Sequence, residues 1–467
     1  MLTIHASRSR YETFQTCSRM GYLQYHWGGK GLQRKGKNLY LTTGSWTHKG
    51  LELILRWVKA NNRLPSETIL DSVVAEVTKG YRKEVFGVDS GRELSAGIQE
   101  GRGFDLIEEG EDWSGVVRPM EEWEKHKLQL YTFNEQSALT EAFLRVFCLK
   151  ILPGWWQQYK VVTVENDMAF PFESDLQRIE KWQVIQSATI DVVLQDRISK
   201  DLMVGSFKTA GRYDNRQAKS NAHDTQGLSE TWAFEEYLRS VGKGDKKVAG
   251  VLMLYFVKGQ RKETKYGNGI WETNSPLIKG YRRIGPDGVE YAHSWWYPKP
   301  ENESGSGYLG KGWEKFNVWE STLGDDGVGG VKGWVRMLAS GEVQPECGDI
   351  LEACLRQPEP YYRRPEQVDS WLRQTKAEEG RNARKLVQLE GLRMAPGGLR
   401  DEILPEVLEQ ALDELFPQNR RACHYPGDCR MLPLCHGTPE ERFNPLENGY
   451  TVREPHHEAE RKENGKV

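Results

Sequence analysis

Between Gln183 and Thr209 the chain reads QVIQSATIDVVLQDRISKDLMVGSFKT, in which two apolar, β-branched runs, Val184 to Leu194 and Leu202 to Phe207, flank a polar stretch. That pattern predicts a hairpin of two strands carrying Asp191 and Lys208 on neighbouring strands. Upstream, YKVVTVENDMAFPF predicts a strand leading into the hairpin, with Glu165 near its middle. Downstream, TQGLSETWAFEEYLRSVG predicts a helix capped near Asp224 or Thr225, and KVAGVLMLYFVKG another strand. Helix, three strands, helix, strand is the order of a mixed sheet with helices packed against it, an α/β fold.

Helical spacing recurs before this unit. Tyr11, Phe14, Cys17, Tyr22 and Tyr25 fit one helix over SRSRYETFQTCSRMGYLQY, with Ser7 and Ser9 as candidate caps. TTGSWTHKGLELILRWVKA predicts an amphipathic helix that puts His48 and Glu52, four apart, on one face. Residues 66–85 and 134–151 predict further helices, and LPGWWQQY breaks the pattern at Pro153 and Gly154. Residues 330–416 return to helices, one of them around PEQVDSWLRQTKAEEGRNARKLVQLE.

A length of 467 residues suggests two or three domains, or one with large insertions. The formal net charge of -3 confines any nucleic-acid surface to a local patch. Two such patches stand out. The Gly/Lys-rich loop GGKGLQRKGKN carries Lys30, Arg34, Lys35 and Lys37, which suit phosphate contact or simple solvation. Residues 260–330 interleave aromatic and basic residues, and Trp295 and Trp296 there either stack bases of a single strand or pack the insertion itself. No apolar run reaches membrane-spanning length and the first residues lack the apolar core of a secretion signal, so the expectation is a cytoplasmic protein with no membrane partner.

A carboxylate to hold a divalent cation and an ammonium to steady water or phosphate charge are a minimal apparatus for phosphodiester hydrolysis, and Asp191 with Lys208 supplies both. A lone histidine on a helix is more often a packing residue unless a second ligand set meets it, which makes His48 conditional on its neighbours. Seven cysteines in a large chain without an export signal point to metal ligation or burial rather than disulfides. Three of them, Cys423, Cys429 and Cys435, are evenly spaced in ACHYPGDCRMLPLCHG and need a fourth ligand to close a metal site. Cys17 is the candidate, with His424 or His436 as the local alternative for a Cys3His zinc site.

TCSRMGYLQY, GSWTHKGLE, ATIDVVL, GSFKT, TQGLSETWAFEEYL and the three late cysteines, in this order, resemble the PD-(D/E)xK nuclease superfamily. The resemblance is to its RecB-like and AddB-like iron-sulfur branch, which includes CRISPR-adaptation exonucleases and phage proteins. It covers the first 52 residues, residues 160–258 and the cysteine loop, and leaves 260–415 unexplained. It implies a restriction-endonuclease-like mixed sheet flanked by helices, with helical N- and C-terminal regions stapled by a cysteine cluster.

Position by position, the resemblance makes Cys17, Cys423, Cys429 and Cys435 ligands of a structural 4Fe-4S cluster. His48 and Asp191 become ligands of Mg2+ or Mn2+, Lys208 the catalytic lysine, and Gln226 a residue that positions substrate or site. Two positions depart from the family. Glu230 stands where a tyrosine is usual, and Ser206 stands where an acidic residue normally lies two before the lysine. Losing an anionic ligand weakens a hard cation's site, so either the carboxylate has migrated, to Glu52, Glu165 or Glu230, or the protein is a degenerate nuclease that binds DNA without turnover.

The corresponding organisation is an N-terminal helical region over 1–158, a nuclease core over 159–259, an aromatic and basic insertion over 260–345, C-terminal helices with the cysteine loop over 346–445, and a disordered tail over 446–467. The function expected is metal-dependent cleavage of DNA, single-stranded or with a free end. No GxxxxGK[ST] loop is present, so unwinding would fall to a helicase or recombination partner. A zinc-stapled interaction protein without a nucleic-acid role is the remaining class.

Overall fold

The computed structural model describes residues 2–35, 39–87, 133, 136–137, 139–172, 182–210, 225–257, 355–393, 405–424, 429–437, 444–455, 457–458 and 460–461, with five short strands between 261 and 317. In chain order these form β1 (Leu2–Ser7), α1 (Arg8–Thr16), α2 (Ser18–Tyr25), β2 (Leu32–Arg34), α3 (Leu39–Asn61) and α4 (Glu67–Phe86). Helical residues 139–146 and a π-turn, Phe147–Ile151, lead into α5 (Leu152–Gln158). The central unit is β3 (Tyr159–Pro171), β4 (Trp182–Asp196), β5 (Leu202–Ala210), α6 (Thr225–Ser240) and β6 (Val248–Val257). Then come β7 (Arg261–Glu263) paired with β8 (Trp271–Thr273), and β9 (Lys279–Ile284) between β10 (Glu290–Ser294) and β11 (Glu314–Asn317). The chain closes with β12 (Leu355–Arg356), β13 (Tyr361–Tyr362), α7 (Pro365–Arg393), α8 (Pro405–Leu415), α9 (Leu432–His436) and β14 (Tyr450–Val452).

A seven-stranded mixed sheet organises the chain. The β-branched runs that predict the hairpin form β4 and β5, antiparallel with Val192 opposite Gly205. β3 pairs antiparallel along β4, β6 runs parallel to β5, and β12 and β13 flank β6 antiparallel. Helices cover both faces. On one face α3 buries Leu51, Ile54, Leu55 and Val58, a spacing that puts all four on one stripe, against Val192, Leu194, Phe207, Leu252 and Phe256. On the other, α6, α7 and the N-terminal helices pack against Ile190, Val193, Val204, Val251 and Met253. No helix among the described residues is long and apolar enough to cross a membrane.

Four features differ from the sequence reading. Leu2–Ser7 is a strand, parallel to the first half of β4 from Leu2 opposite Trp182 to Ser7 opposite Ser187. The predicted first helix is two: Cys17 sits between α1 and α2 on extended backbone (φ -157°, ψ 117°), while Ser7 caps α1 by accepting from the Arg10 amide. Pro153 does not break a helix but lies in the first turn of α5, where its missing N–H costs nothing; the irregularity is the π-turn just upstream. Finally, the charged tail expected to be disordered contains β14, which pairs antiparallel with β2, and the buried His457.

The N-terminal helices and the C-terminal third share one core. Phe14, Tyr22 and Leu23 pack with Trp371, Leu412, Phe416 and Tyr450. Arg10, fully buried, pairs with the equally buried Glu379 of α7, and Arg19 donates to the Phe416 carbonyl at 3.0 Å and to Asp413 at 2.6 Å. A charge pair inside a core fixes which helix lies against which more than it adds stability.

Candidate metal centre

In β4, Val184, Ala188 and Ile190 join the core under α6, and so does Val193, whereas Val192 and Leu194 join the core under α3. Strict alternation would not place them so: the strand changes face at Asp191. β3 does the same, with Met168 on the α6 side and Val164 on the α3 side, and between them Glu165 adopts φ +43°. The ladder pairs Val164 with Val192 and Asn166 with Ile190, which sets Glu165 opposite Asp191. A non-glycine residue with positive φ inside a strand costs about 1–3 kcal/mol and persists only where its surroundings impose it. Here the kink turns two carboxylates toward α3.

From α3, His48 meets them. Its Nδ1 lies 3.2 Å from Asp191 Oδ1, and its ring stands edge-on to Phe207 at 6.1 Å. Ligand atoms of His48, Glu165 and Asp191 all lie within 4.8 Å of one another, the one such group among the described residues. The second Asp191 oxygen accepts the Phe207 amide at 2.6 Å, which fixes the carboxylate.

Electrostatics fits a cation site. Burial raises the Glu165 carboxyl to about 7, with the Asp191 and Glu52 charges acting the same way. Burial pulls the His48 imidazole down, but the Asp191 charge and hydrogen bond and the Glu165 charge outweigh it and leave it above its ordinary value. Lys208 is near enough for its charge to oppose that rise. Two carboxylates and an imidazole packed this tightly repel or compete for protons until a cation sits among them.

The other residues singled out from sequence fall in three places. Ser206, completely buried on the α6 side of β5, accepts from Gln226 Nε2 at 2.8 Å and faces Glu230 Oε1 at 3.5 Å; Gln226 Nε2 also donates to Glu230 at 2.5 Å. Arg8 holds the other end of that amide, donating to Gln226 Oε1 at 2.6 Å. Glu52 shares its face of α3 with His48, as its spacing predicts, but is paired with Lys49 and Arg56, each at 2.9 Å. Thus Glu165 joins His48 and Asp191, while Glu230 goes to Ser206 and Glu52, itself buried, is paired with Lys49 and Arg56 near enough for its charge to act on Glu165. Lys30, Arg34 and Lys35 are exposed on the loop and β2, with Lys35 Nζ donating to the Leu446 carbonyl. Lys37, Trp295 and Trp296 lie outside the described residues.

The four cysteines gather at the junction of the chain's two ends. Cys17 Sγ accepts the Asn419 amide at 3.3 Å, Cys429 N donates to the Cys423 carbonyl at 2.8 Å, and Cys423 Sγ lies 3.8 Å from His436 Nε2. None of them is in a disulfide. Burial raises the Cys435 thiol to about 12, Arg19 opposes this, and Cys429, Cys17 and Cys423 are all close enough to add to it.

Arg8, the Gln226 partner, went unnoticed in the sequence: it precedes the cysteine by nine residues and nothing local marks it. No family model matches this chain, and none of the curated proteins compared with it does.

Proposed function

We propose that the chain is a divalent-cation-dependent deoxyribonuclease of PD-(D/E)xK type, in which Glu165 is the migrated carboxylate. The observation that carries this reading is the convergence of His48, Glu165 and Asp191, with Lys208 near enough for its charge to act on His48. The donor set suits Mn2+ or Mg2+, two hard carboxylate oxygens with one imidazole nitrogen. Such an ion, when bound, offsets phosphate charge and acidifies water beside it. The protein's own groups do the rest. The Phe207 amide holds Asp191 in place, the Glu165 backbone kink aims its carboxylate inward, and the Lys208 ammonium steadies the charge that builds on the phosphoryl oxygens. Gln226, clamped by Arg8, orients Ser206 and Glu230 behind β5.

The family resemblance assigns the four thiols a structural 4Fe-4S cluster, and that assignment is carried over here; a Cys3His zinc site through His436, whose Nε2 lies 3.8 Å from Cys423 Sγ, is the alternative. Bound there, a cluster would tie α1 and α2 to the C-terminal loop; the Arg19 charge favours thiolates at the same place.

The substrate on this reading is DNA that is single-stranded or has a free end, with a helicase or recombination partner doing any unwinding. A second reading, a degenerate nuclease that binds DNA as a scaffold, is favoured by Ser206, which is buried under α6 and offers no anionic oxygen. The deciding experiment uses anaerobically purified protein, end-labelled single- and double-stranded DNA, and Mn2+ or Mg2+. We expect cleavage that Asp191→Asn, Glu165→Gln and Lys208→Ala each reduce on the order of 100-fold or more. DNA binding without cleavage by the wild-type chain would leave the scaffold reading standing, and cleavage unaffected by Glu165→Gln would remove Glu165 from the site.

A further inference from the structure

The C-terminal segment that reads as disordered from its composition packs instead beside the cysteine loop and reaches Asp167 of β3, two residues from Glu165. Tyr450 is buried in the shared core and its hydroxyl donates to the Arg430 carbonyl, next to Cys429, at 2.8 Å. The strand that follows pairs with β2, Arg453 N donates to the Gly31 carbonyl at 2.9 Å, and the Arg453 guanidinium lies over the Tyr25 ring at 4.9 Å while pairing with Glu460. Beyond it the chain reaches the sheet. His457, 8 % exposed, lies with Nδ1 3.0 Å from Asp167 Oδ1, and the Glu458 amide donates to Asp167 Oδ2 at 2.5 Å. Thr189, the ladder partner of Asp167 on β4, donates to the same Oδ1 at 3.4 Å.

That rung is two residues from the one formed by Glu165 and Asp191. The strained Glu165 backbone is therefore held from two sides. On one side Val164 and Val192 are locked into the core under α3. On the other, both oxygens of Asp167 are engaged by the C-terminal segment. A residue with positive φ inside a strand relaxes when its supports loosen, and only the second support comes from outside the sheet and its helices.

We propose that the described residues 444–455, 457–458 and 460–461 are a strap that maintains the Glu165 geometry, with His457 as its positioning residue. The inference rests on the reading of His48, Glu165 and Asp191 as a cation site. Its logic is that of outer partners around a metal: a group that fixes the ligand's direction affects affinity without touching the ion. An asparagine at 457 retains an N–H near the place of Nδ1, whereas alanine removes it.

The test is Mn2+ titration, following free Mn2+ by electron paramagnetic resonance, for wild type, His457→Ala, His457→Asn and Asp191→Ala, with the thermal midpoint of each recorded. The expectation is that His457→Ala raises the Mn2+ dissociation constant about tenfold with a thermal midpoint no lower than that of His457→Asn, and that His457→Asn recovers most of the affinity. A chain ending at Pro455 should behave as His457→Ala does. Unchanged affinity in His457→Ala, with wild-type binding intact and lost in Asp191→Ala, overturns the strap alone. Wild-type binding no tighter than that of Asp191→Ala overturns the cation site and the strap with it.

Discussion

Ser206 is the residue at which resemblance and structure part. Its hydroxyl, fully buried, already serves Gln226 and Glu230, so an acid placed there would meet a carboxylate rather than a cation. Ser206→Asp is accordingly expected to lower stability on the order of 3 kcal/mol in urea denaturation, because it buries a second negative charge beside Glu230. It is also expected to leave Mn2+ affinity no better than wild type; a gain in affinity would show that the second ligand position is on β5 after all. From the letters alone, three glutamates were equal candidates for the migrated carboxylate. What separates them is local backbone: Glu165 has φ +43° at the point where two strands change face together, and no periodicity in VVTVENDMAF announces that. His48 and Lys208, by contrast, sit on elements whose pattern is plain in the sequence, while Asp191 stands where β4 changes face, which the pattern does not announce.

At the scale of elements, α3 carries the burden of placing His48, and it lies unusually close to its neighbours. A Cβ on Gly50 would stand 2.5 Å from Leu144 Cδ1 and 2.6 Å from Cδ2, both in the fully buried core. Gly50→Ala should therefore push the helical residues 139–146 away from α3, costing about 1–3 kcal/mol in chemical denaturation and weakening cation binding through His48. An unchanged denaturation midpoint would mean that the Leu144 side chain repacks without moving either helix. Elements with long helical periodicity, such as α3, α4 and α7, or with long apolar runs, such as β4 and β6, are readable in the sequence. Those decided by partners far along the chain are not. β1 is only six residues and owes its existence to the free edge of β4; the extended backbone at Cys17 follows from the sulfur's place against Asn419; β14 is a strand because β2 offers it a ladder. Local sequence carries none of these pairings.

The whole molecule is less modular than a nuclease core with appended ends would be. Phe14, Tyr22 and Leu23 from the first thirty residues are buried by Trp371, Leu412, Phe416 and Tyr450 from the last hundred, and Val251 and Trp232 of the central unit belong to the same cluster. The Arg10–Glu379 pair spans that junction with both groups fully buried, so cutting the chain between them removes the carboxylate together with the helix that covers Arg10. The same cut exposes the apolar surface of Phe14, Tyr22 and Leu23, which those four C-terminal residues otherwise bury. The fragment 1–258, which contains His48, Glu165, Asp191, Lys208 and Gln226, is thus expected not to fold alone. Far-ultraviolet circular dichroism and a thermal scan would settle it: a cooperative transition and helix content in proportion to the full chain would mean that the central sheet carries its own core. A broad, non-cooperative profile, restored by adding residues 355–461, would mean that the site is assembled only when the two ends of the chain close on each other, with the thiol junction between Cys17 and Cys435 at the point of closure.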